Sequence, residues 1–490
     1  MKKYLVVALA AMFVLGFAAS SFAIHAEIPA ETQAVVAKSA TQITIGGEIR
    51  VRGIIDNNTG DFNSDTTKAG DDAKWDQRVR LQVEAKVTPN TTGLIQLEAG
   101  NADSRTSNDI RNWGSEVSGA TGTLPVGDYK QDSMRVLQAW ILHTGSGLLG
   151  VPALIKIGHM PVQIDGLYYS HTKFGDDALL LGVDPVKELH LILGTVKLLE
   201  GATYNSDDVN GYTLIANYDI NKDSSVGLDV TYADGQNVGL AYGVIGGSAL
   251  TGAGSDIHLW NFAVNGKIRA GGLGIKAEID AQTGKFEDLT TTNNPNSLSF
   301  RGFAGKLDLD YNINPVTLMF TAAYGSGDNF SKLAPGNTLQ SGDHKIRDFV
   351  TTQDAIQHFT FVYEYLTPNA AGNTNGGLQN TWYLRAGAKA DLMKDLDGAL
   401  NIYYLRAVHD SITQMLFPAT YGTSKAIGTE VDVNVNYKID RNLKYFVEGG
   451  YLFAGNFWKN ATPVTVTPSG AHAKSPDDAW AIRHGIQLSF

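Results

Sequence analysis

The residue types most able to do chemistry in this chain are arginines at even spacing. Arg50 and Arg52 lie two residues apart, as do Arg78 and Arg80. Arg135, Lys156, Arg385, Lys389 and Arg483 each fall in a segment where polar and apolar residues tend to alternate. Guanidinium groups bind carboxylates through paired N–H donors, so several of them facing one space would gather anions. Glu48, Glu84, Glu98, Glu430, Asp432 and Glu448 hold similar positions. Pairing with these acids would instead neutralise the cations and stiffen the wall that carries them, and both readings stay open.

Other candidate chemistry is thinner. The stretch Gly145 to Gly150 has the G-x-G-x-x-G spacing, but a dinucleotide site needs a helix after it, and Pro152 and a new strand pattern follow. A turn is the better reading. His143, His159 and His171 fit no helical H-x-x-x-H site, and the chain has no cysteine, so no metal site is expected. Asp61, Asp65, Asp71 and Asp72 form an acidic loop that could take calcium, although solvation alone explains it. No G-x-S-x-G elbow and no paired catalytic motif occurs, so no catalytic residue, enzyme activity or cofactor is expected.

The elements that carry the charges alternate with a period of two. In the first, Ile43, Ile45, Gly47, Ile49, Val51 and Ile55 share one parity; Gln42, Thr44, Glu48, Arg50 and Arg52 share the other. In the second, Trp75, Val79, Leu81, Val83 and Val87 oppose Asp76, Arg78, Arg80, Gln82 and Glu84. The last run sets Trp480, Ile482, His484, Ile486, Leu488 and Phe490 against Ala481, Arg483, Gly485, Gln487 and Ser489. Successive strand residues point to opposite faces, so each run has one greasy face and one polar face.

The links between runs alternate as well. Tight links are read at Thr88–Thr91, Asp184–Lys187, Asn221–Asp223, Ala270, Asn312–Asn314, Met393–Asp395 and Lys438–Asn442. Long ones are read at Asp56–Lys74, Ala102–Asp132, Pro161–Asp176, Asp234–Asp256, Gly284–Ser297, Gly325–Asn380, Val408–Lys425 and Ala454–Asp478. This asymmetry fits a meander with short turns at one rim and long loops at the other, and not a Greek-key sandwich. The longest loop contains His358 to Leu366, which is strand-like in pattern, and the "GNTNGG" stretch Gly372 to Gly377. It would fold inward, cover the mouth, or stay on the surface.

A mean hydropathy of -0.12 with 43% hydrophobic residues is too polar for a bundle of membrane helices, but ordinary for alternating strands. In hydrocarbon an open sheet edge leaves polar groups unmet, so the sheet must close and the C-terminal run becomes the closing strand. The charged parity then faces the lumen. The expected fold is all-β, a single transmembrane antiparallel barrel of about 18 strands (16–18) over residues 41–490. Long loops would be extracellular and short turns periplasmic. Phe490, Trp480 and Tyr451 would join interfacial aromatic girdles. Residues 1–23, with Lys2, Lys3, an apolar stretch and Ser21 and Ala23 before the cut, read as a signal peptide; residues 24–40 read as a periplasmic lead. Net charge is -11, becoming -13 without Lys2 and Lys3, which argues against nucleic acid as a partner.

A secretion signal, alternating strands and a terminal aromatic together resemble Gram-negative outer-membrane porins. "AIGTEVDVNVNYKIDRNLKYFVEGGYLFAGNFW" resembles the penultimate hairpin of the alginate export family. "RVLQAWILHTGSGLLGVPALIKIGHMPVQIDG" is similar to its central strands, with Gly158-His159-Met160 where that family has a "GRQ"-like element. The resemblance implies an 18-stranded barrel with a basic constriction for an anionic polysaccharide. The expectation is an outer-membrane channel for passive diffusion of hydrophilic, anionic solutes. Its pore lining would be Arg50, Arg52, Arg78, Arg80, Glu84, Arg135, Lys156, Arg385, Lys389 and Arg483. Expected partners are outer-membrane lipid and lipopolysaccharide, periplasmic chaperones and the barrel assembly machinery. The rival is a plugged barrel serving as a surface adhesin or as scaffold of an export or electron-transfer complex.

Overall fold

The computed structural model describes residues 34–35, 41–60, 62, 64, 72–99, 134–146, 150–164, 166–168, 170–199, 208–238, 255–288, 296–328, 345–351, 359–364, 366, 377–410, 424–458 and 475–490. The signal peptide, nearly all of the lead, Asp61, Asp65, Asp71, and Gly372 to Gly376 lie outside these residues.

Eighteen antiparallel strands close into one barrel. They are β1 (Gln42–Asn57), β2 (Asp72–Thr88), β3 (Thr91–Ala99), β4 (Met134–Gly145), β5 (Ala153–Gln163) and β6 (Ser170–Val186). Then come β7 (Leu189–Leu199), β8 (Val209–Asn221), β9 (Ser224–Val238), β10 (Ser255–Ala270), β11 (Leu273–Asp288) and β12 (Phe303–Ile313). The circuit ends with β13 (Val316–Gly325), β14 (Thr381–Met393), β15 (Leu396–Ala407), β16 (Ala426–Asp440), β17 (Leu443–Ala454) and β18 (Ala479–Ser489). Each strand pairs with its sequence neighbours, and β18 pairs with β1 from Ser489↔Glu48 to Trp480↔Asn57. The seam runs to the last residue: Gly47 N–H donates to Phe490 O at 2.7 Å and Phe490 N–H to Gly47 O at 3.0 Å. A Cβ on Gly47 would sit 2.6 Å from the Phe490 ring, so glycine is what lets that ring lie flat across the seam.

Alternation sorts the side chains as hydrocarbon on one side and water on the other require. Ile49, Val79, Leu214, Leu228, Val264, Ile279, Phe320, Leu384, Ile402 and Ile482 are exposed on the outer face. Aromatics flank this aliphatic band. Tyr218, Tyr311, Tyr437, Tyr445 and Phe490 lie toward the short-turn rim. Trp75, Tyr212, Trp260, Tyr324, Tyr404 and Tyr451 lie toward the long-loop rim. Tyr232 links two of the latter, stacking on Trp260 with ring centroids 4.5 Å apart. Such rings suit the boundary between acyl chains and headgroups.

The turns fall where the sequence places them, with two differences. The Pro161–Asp176 link shrinks to residues 164–169, because β5 continues through Pro161. The pairing shifts register between Met160 and Val162, and such an irregularity accommodates a residue with no N–H to donate. The link at 200–208 between β7 and β8 is absent from the sequence reading, although Gly201, Asn205, Ser206, Asp207 and Asp208 mark it.

One short and one long loop turn into the barrel. Ile164, Leu167 and Tyr168 are buried, and Thr351 Oγ1 donates to Leu167 O at 3.1 Å and to Tyr168 O at 3.2 Å. The second loop brings Phe349, Val350, Phe359, Val362 and Tyr363 into an apolar cluster with inward wall residues including Phe286, Tyr383 and Tyr403. Phe359 stacks on Tyr383 at 4.2 Å, and Gln282 of β11 brackets Val350, donating to its O at 2.6 Å and accepting from its N–H at 2.8 Å. The described residues Phe359–Glu364 form turns, so this segment is loop and not strand. Burying an aromatic or aliphatic side chain is worth about 1.5–3 kcal/mol, enough in sum to hold an inward loop against its lost freedom.

Candidate functional site

The arginine wall spans β17, β18 and β1 to β4. Register places Arg50 opposite Arg78, and Arg52 opposite Asp76. Arg52 Nε donates to both oxygens of Asp76 at 2.8 Å. Arg78 reaches Glu48 Oε1 from Nε at 3.0 Å and from Nη2 at 2.5 Å. Arg80 donates to Glu98 Oε2 at 2.6 Å, and Arg135 to Glu98 Oε1 from Nε at 3.0 Å and from Nη2. Between β17 and β18, Arg483 Nε donates to Glu448 Oε2 at 2.6 Å. These contacts join residues that are opposite or diagonal across a strand pair, so the sheet's register fixes the ladder. Five arginines, Arg52, Arg78, Arg80, Arg135 and Arg483, meet four carboxylates here, Glu48, Asp76, Glu98 and Glu448.

Burial divides these groups. Arg50, Arg52, Arg78 and Arg483 are at most 6% exposed. Arg80 is 13% exposed at its side chain and Arg135 37%, so these two border open space. Lys156 faces inward, with Nζ 4.2 Å from the Trp140 ring centroid. Glu84 is half-buried on the inward parity, opposite the buried Thr44. Elsewhere in the lumen, Arg385 Nη2 is 3.8 Å from Asp308 Oδ1. Lys389, on the parity of Arg385, is exposed toward the short-turn rim.

Glu430 and Asp432 do not meet arginines in the way their parity invites. Both are buried on β16 and accept from the inward loop: Phe361 N–H to Asp432 at 3.1 Å, Val362 N–H to Glu430 Oε1 at 2.5 Å, and Tyr363 N–H to Glu430 Oε2 at 2.9 Å. The Arg483 guanidinium lies 5.0 Å from the Phe361 ring centroid, and Phe361 and Leu366 pack with Ile54 and Ala481. The loop therefore lies directly over part of the arginine wall.

Sequence reading missed Lys306 and Asp308, whose amine and carboxylate lie 3.1 Å apart, although the alternation in "GKLDLDYN" marks them. It also gave no signal for Gln282, which holds the loop at Val350. His143 bonds Thr91 at 2.9 Å and His159 bonds Asp177 at 3.1 Å. Among the described residues no three His, Cys, Asp or Glu side chains gather as metal ligands.

Comparison with known proteins agrees with this architecture. Residues 204–472 match the family described as alginate export. No curated protein matches the chain. Among solved structures it is similar to OccK1 (OpdK) of Pseudomonas aeruginosa, at 12% identity over 91% of this chain and 98% of that one, with a TM-score of 0.50. A BenF-like porin of Pseudomonas fluorescens Pf-5 gives 12% identity, 91% and 99% coverage, and a TM-score of 0.50. OccAB1 of Acinetobacter baumannii gives 11%, 91% and 97%, and 0.50. Likeness at such identities concerns the fold.

Proposed function

We propose, from the premise that the chain belongs to the alginate export family and is an outer-membrane porin-type channel without enzymatic machinery, that it conducts small or oligomeric hydrophilic anions passively. The arginine wall carries the reading. The two arginines that border open space, Arg80 and Arg135, share the single carboxylate of Glu98, which leaves a local excess of positive charge there. An inward surplus of positive charge in a low-dielectric tube raises the local concentration of anions and repels cations. Lys156 and Lys389 extend the cationic lining. The inward loops set the width.

Residues 1–23 would serve as a cleaved signal peptide and 24–40 as a periplasmic lead. Chaperones and the assembly machinery would handle the unfolded chain, with β18 as the strand read. Lipopolysaccharide would border the outer aromatic girdle.

Liposome swelling with size-matched solutes tests the charge preference. Gluconate is expected to enter several times faster than a neutral sugar alcohol of equal size, and equal or slower entry contradicts it. A second reading, a plugged barrel acting as adhesin or scaffold, draws on the apolar packing of the inward loops. That barrel would give no unitary currents in a planar bilayer, whereas the channel gives discrete steps.

A further inference from the structure

Away from the arginine wall, a cavity of about 560 Å³ lies between β9–β12 and the inward loop at Gln163–Leu167. One row of register across its floor reads Ser225, Lys267, Lys276 and Asp308. The next row toward the long loops reads Gly227, Asn265, Glu278 and Lys306. Two lysines thus stand directly opposite each other on adjacent strands, an arrangement that weakens a strand pair by like-charge repulsion.

The neighbouring acids are engaged elsewhere: Asp308 stands opposite Lys276 in register but turns to other partners. Asp308 accepts from Thr321 Oγ1 at 2.5 Å and lies 3.1 Å from the Lys306 amine. Glu278 presses against Gly166 of the loop, where a Cβ would come within 2.7 Å of Oε2. Neither Lys267 nor Lys276 forms an ion pair with any described residue, and both side chains are exposed to the lumen. A destabilising pair of free ammonium groups therefore faces a roomy polar cavity, with the Ser225 hydroxyl and the Gln163 amide at its edges.

We propose that this cavity is a second anion station of the channel, in which Lys267 and Lys276 together hold the carboxylate of a small hydroxylated organic acid while Gln163 and Ser225 meet its hydroxyls. The volume lies within the usual range for small-molecule sites. The station lies a few residues from the Gly271–Gly272 turn, so it is reached first from the short-turn side. It deepens the reading of the channel as anion-conducting, and rests on it.

The test uses the full-length mature protein in planar bilayers, with potassium gluconate added to one side and block of the chloride current recorded. Short-turn-side gluconate is expected to block the wild type, and Lys267→Gln with Lys276→Gln to weaken that block at least tenfold. The single Lys276→Gln variant should weaken it several-fold while leaving the melting temperature unchanged or higher, because it removes a repulsion. Heat-modifiable migration on gels confirms that each variant is folded. Unchanged block in the folded double variant overturns the station, as does equal block by acetate, which has no hydroxyls. The Arg50→Ala, Arg78→Ala variant separates the two ideas. If it leaves the reversal potential unaltered while the lysine variant loses block, the arginine reading fails and the station stands.

Discussion

The arginine wall and the β16 carboxylates are neighbours around the barrel, yet they use inward charge differently. On the wall, side chains on one sheet satisfy each other, and strand register fixes every pair. On β16, Glu430 and Asp432 accept from backbone N–H groups of a loop about 70 residues away in sequence. The first arrangement exists whenever the barrel is closed. The second exists only when the loop is docked. Burying a carboxylate costs several kcal/mol, and each N–H bond to a charged acceptor returns roughly 1.5–3 kcal/mol. Three such bonds against two buried carboxylates leave a near balance, so the remainder of the docking energy comes from apolar packing around Phe359 and Tyr363. Rigid pairs suit selection of solutes by charge, and a balanced latch suits control of width.

The comparison breaks most visibly at the latch. Glu430→Ala with Asp432→Ala leaves three loop N–H groups without acceptors, at about 1–3 kcal/mol each. The loop is expected to leave the lumen, and single-channel conductance to rise at least twofold with anion preference little changed. Unaltered conductance would show that apolar packing alone holds the loop.

On the wall, Glu98→Gln is expected to change selectivity and leave conductance nearly constant. It removes the carboxylate shared by Arg80 and Arg135, so the chloride-to-potassium permeability ratio should rise a few-fold. A fall in that ratio would contradict the role given to the wall.

A smaller effect concerns pH. In the inward loop Asp348 is buried, and burial, with Asp328 adding its charge, pushes its carboxyl from an ordinary 3.8 up to about 7. Its Oδ1 accepts from Asp328 N–H at 2.9 Å, and Gln379 donates to its side chain. Glu364, likewise buried in the loop, is pushed well upward. A docked loop thus keeps protons that a released loop gives up between roughly pH 4 and 7. Docking is strongest below that window and weakens as pH rises through it. Mean conductance should therefore be modestly higher at pH 8 than at pH 5, and Asp348→Asn should flatten the difference.

Legibility in the sequence follows the same divide. A period of two is a local property, so the inward parity of Arg50, Arg52, Arg78, Arg80 and Arg483 and the closing role of β18 could be read from adjacent residues. So could the alternation of short and long links, since turn residues are local too. The docking of Val362 on Glu430 could not, because no periodicity connects a loop to a strand 68 residues away. Glu430 and Asp432 carry the same pattern as Glu48 and Glu98, and only the fold reveals that backbone N–H groups are their partners. Pro161 misled in the opposite direction, reading as a strand end where the pairing simply shifts register.

The central claim is that the arginine wall biases the channel toward anions. Its most direct test is the reversal potential across a planar bilayer in a potassium chloride gradient, for the wild type against Arg50→Ala with Arg78→Ala. The wild type should reverse on the chloride side of zero, and the double variant should shift toward zero. A wild type that reverses on the potassium side, or a folded double variant with an unmoved reversal potential, would contradict the claim.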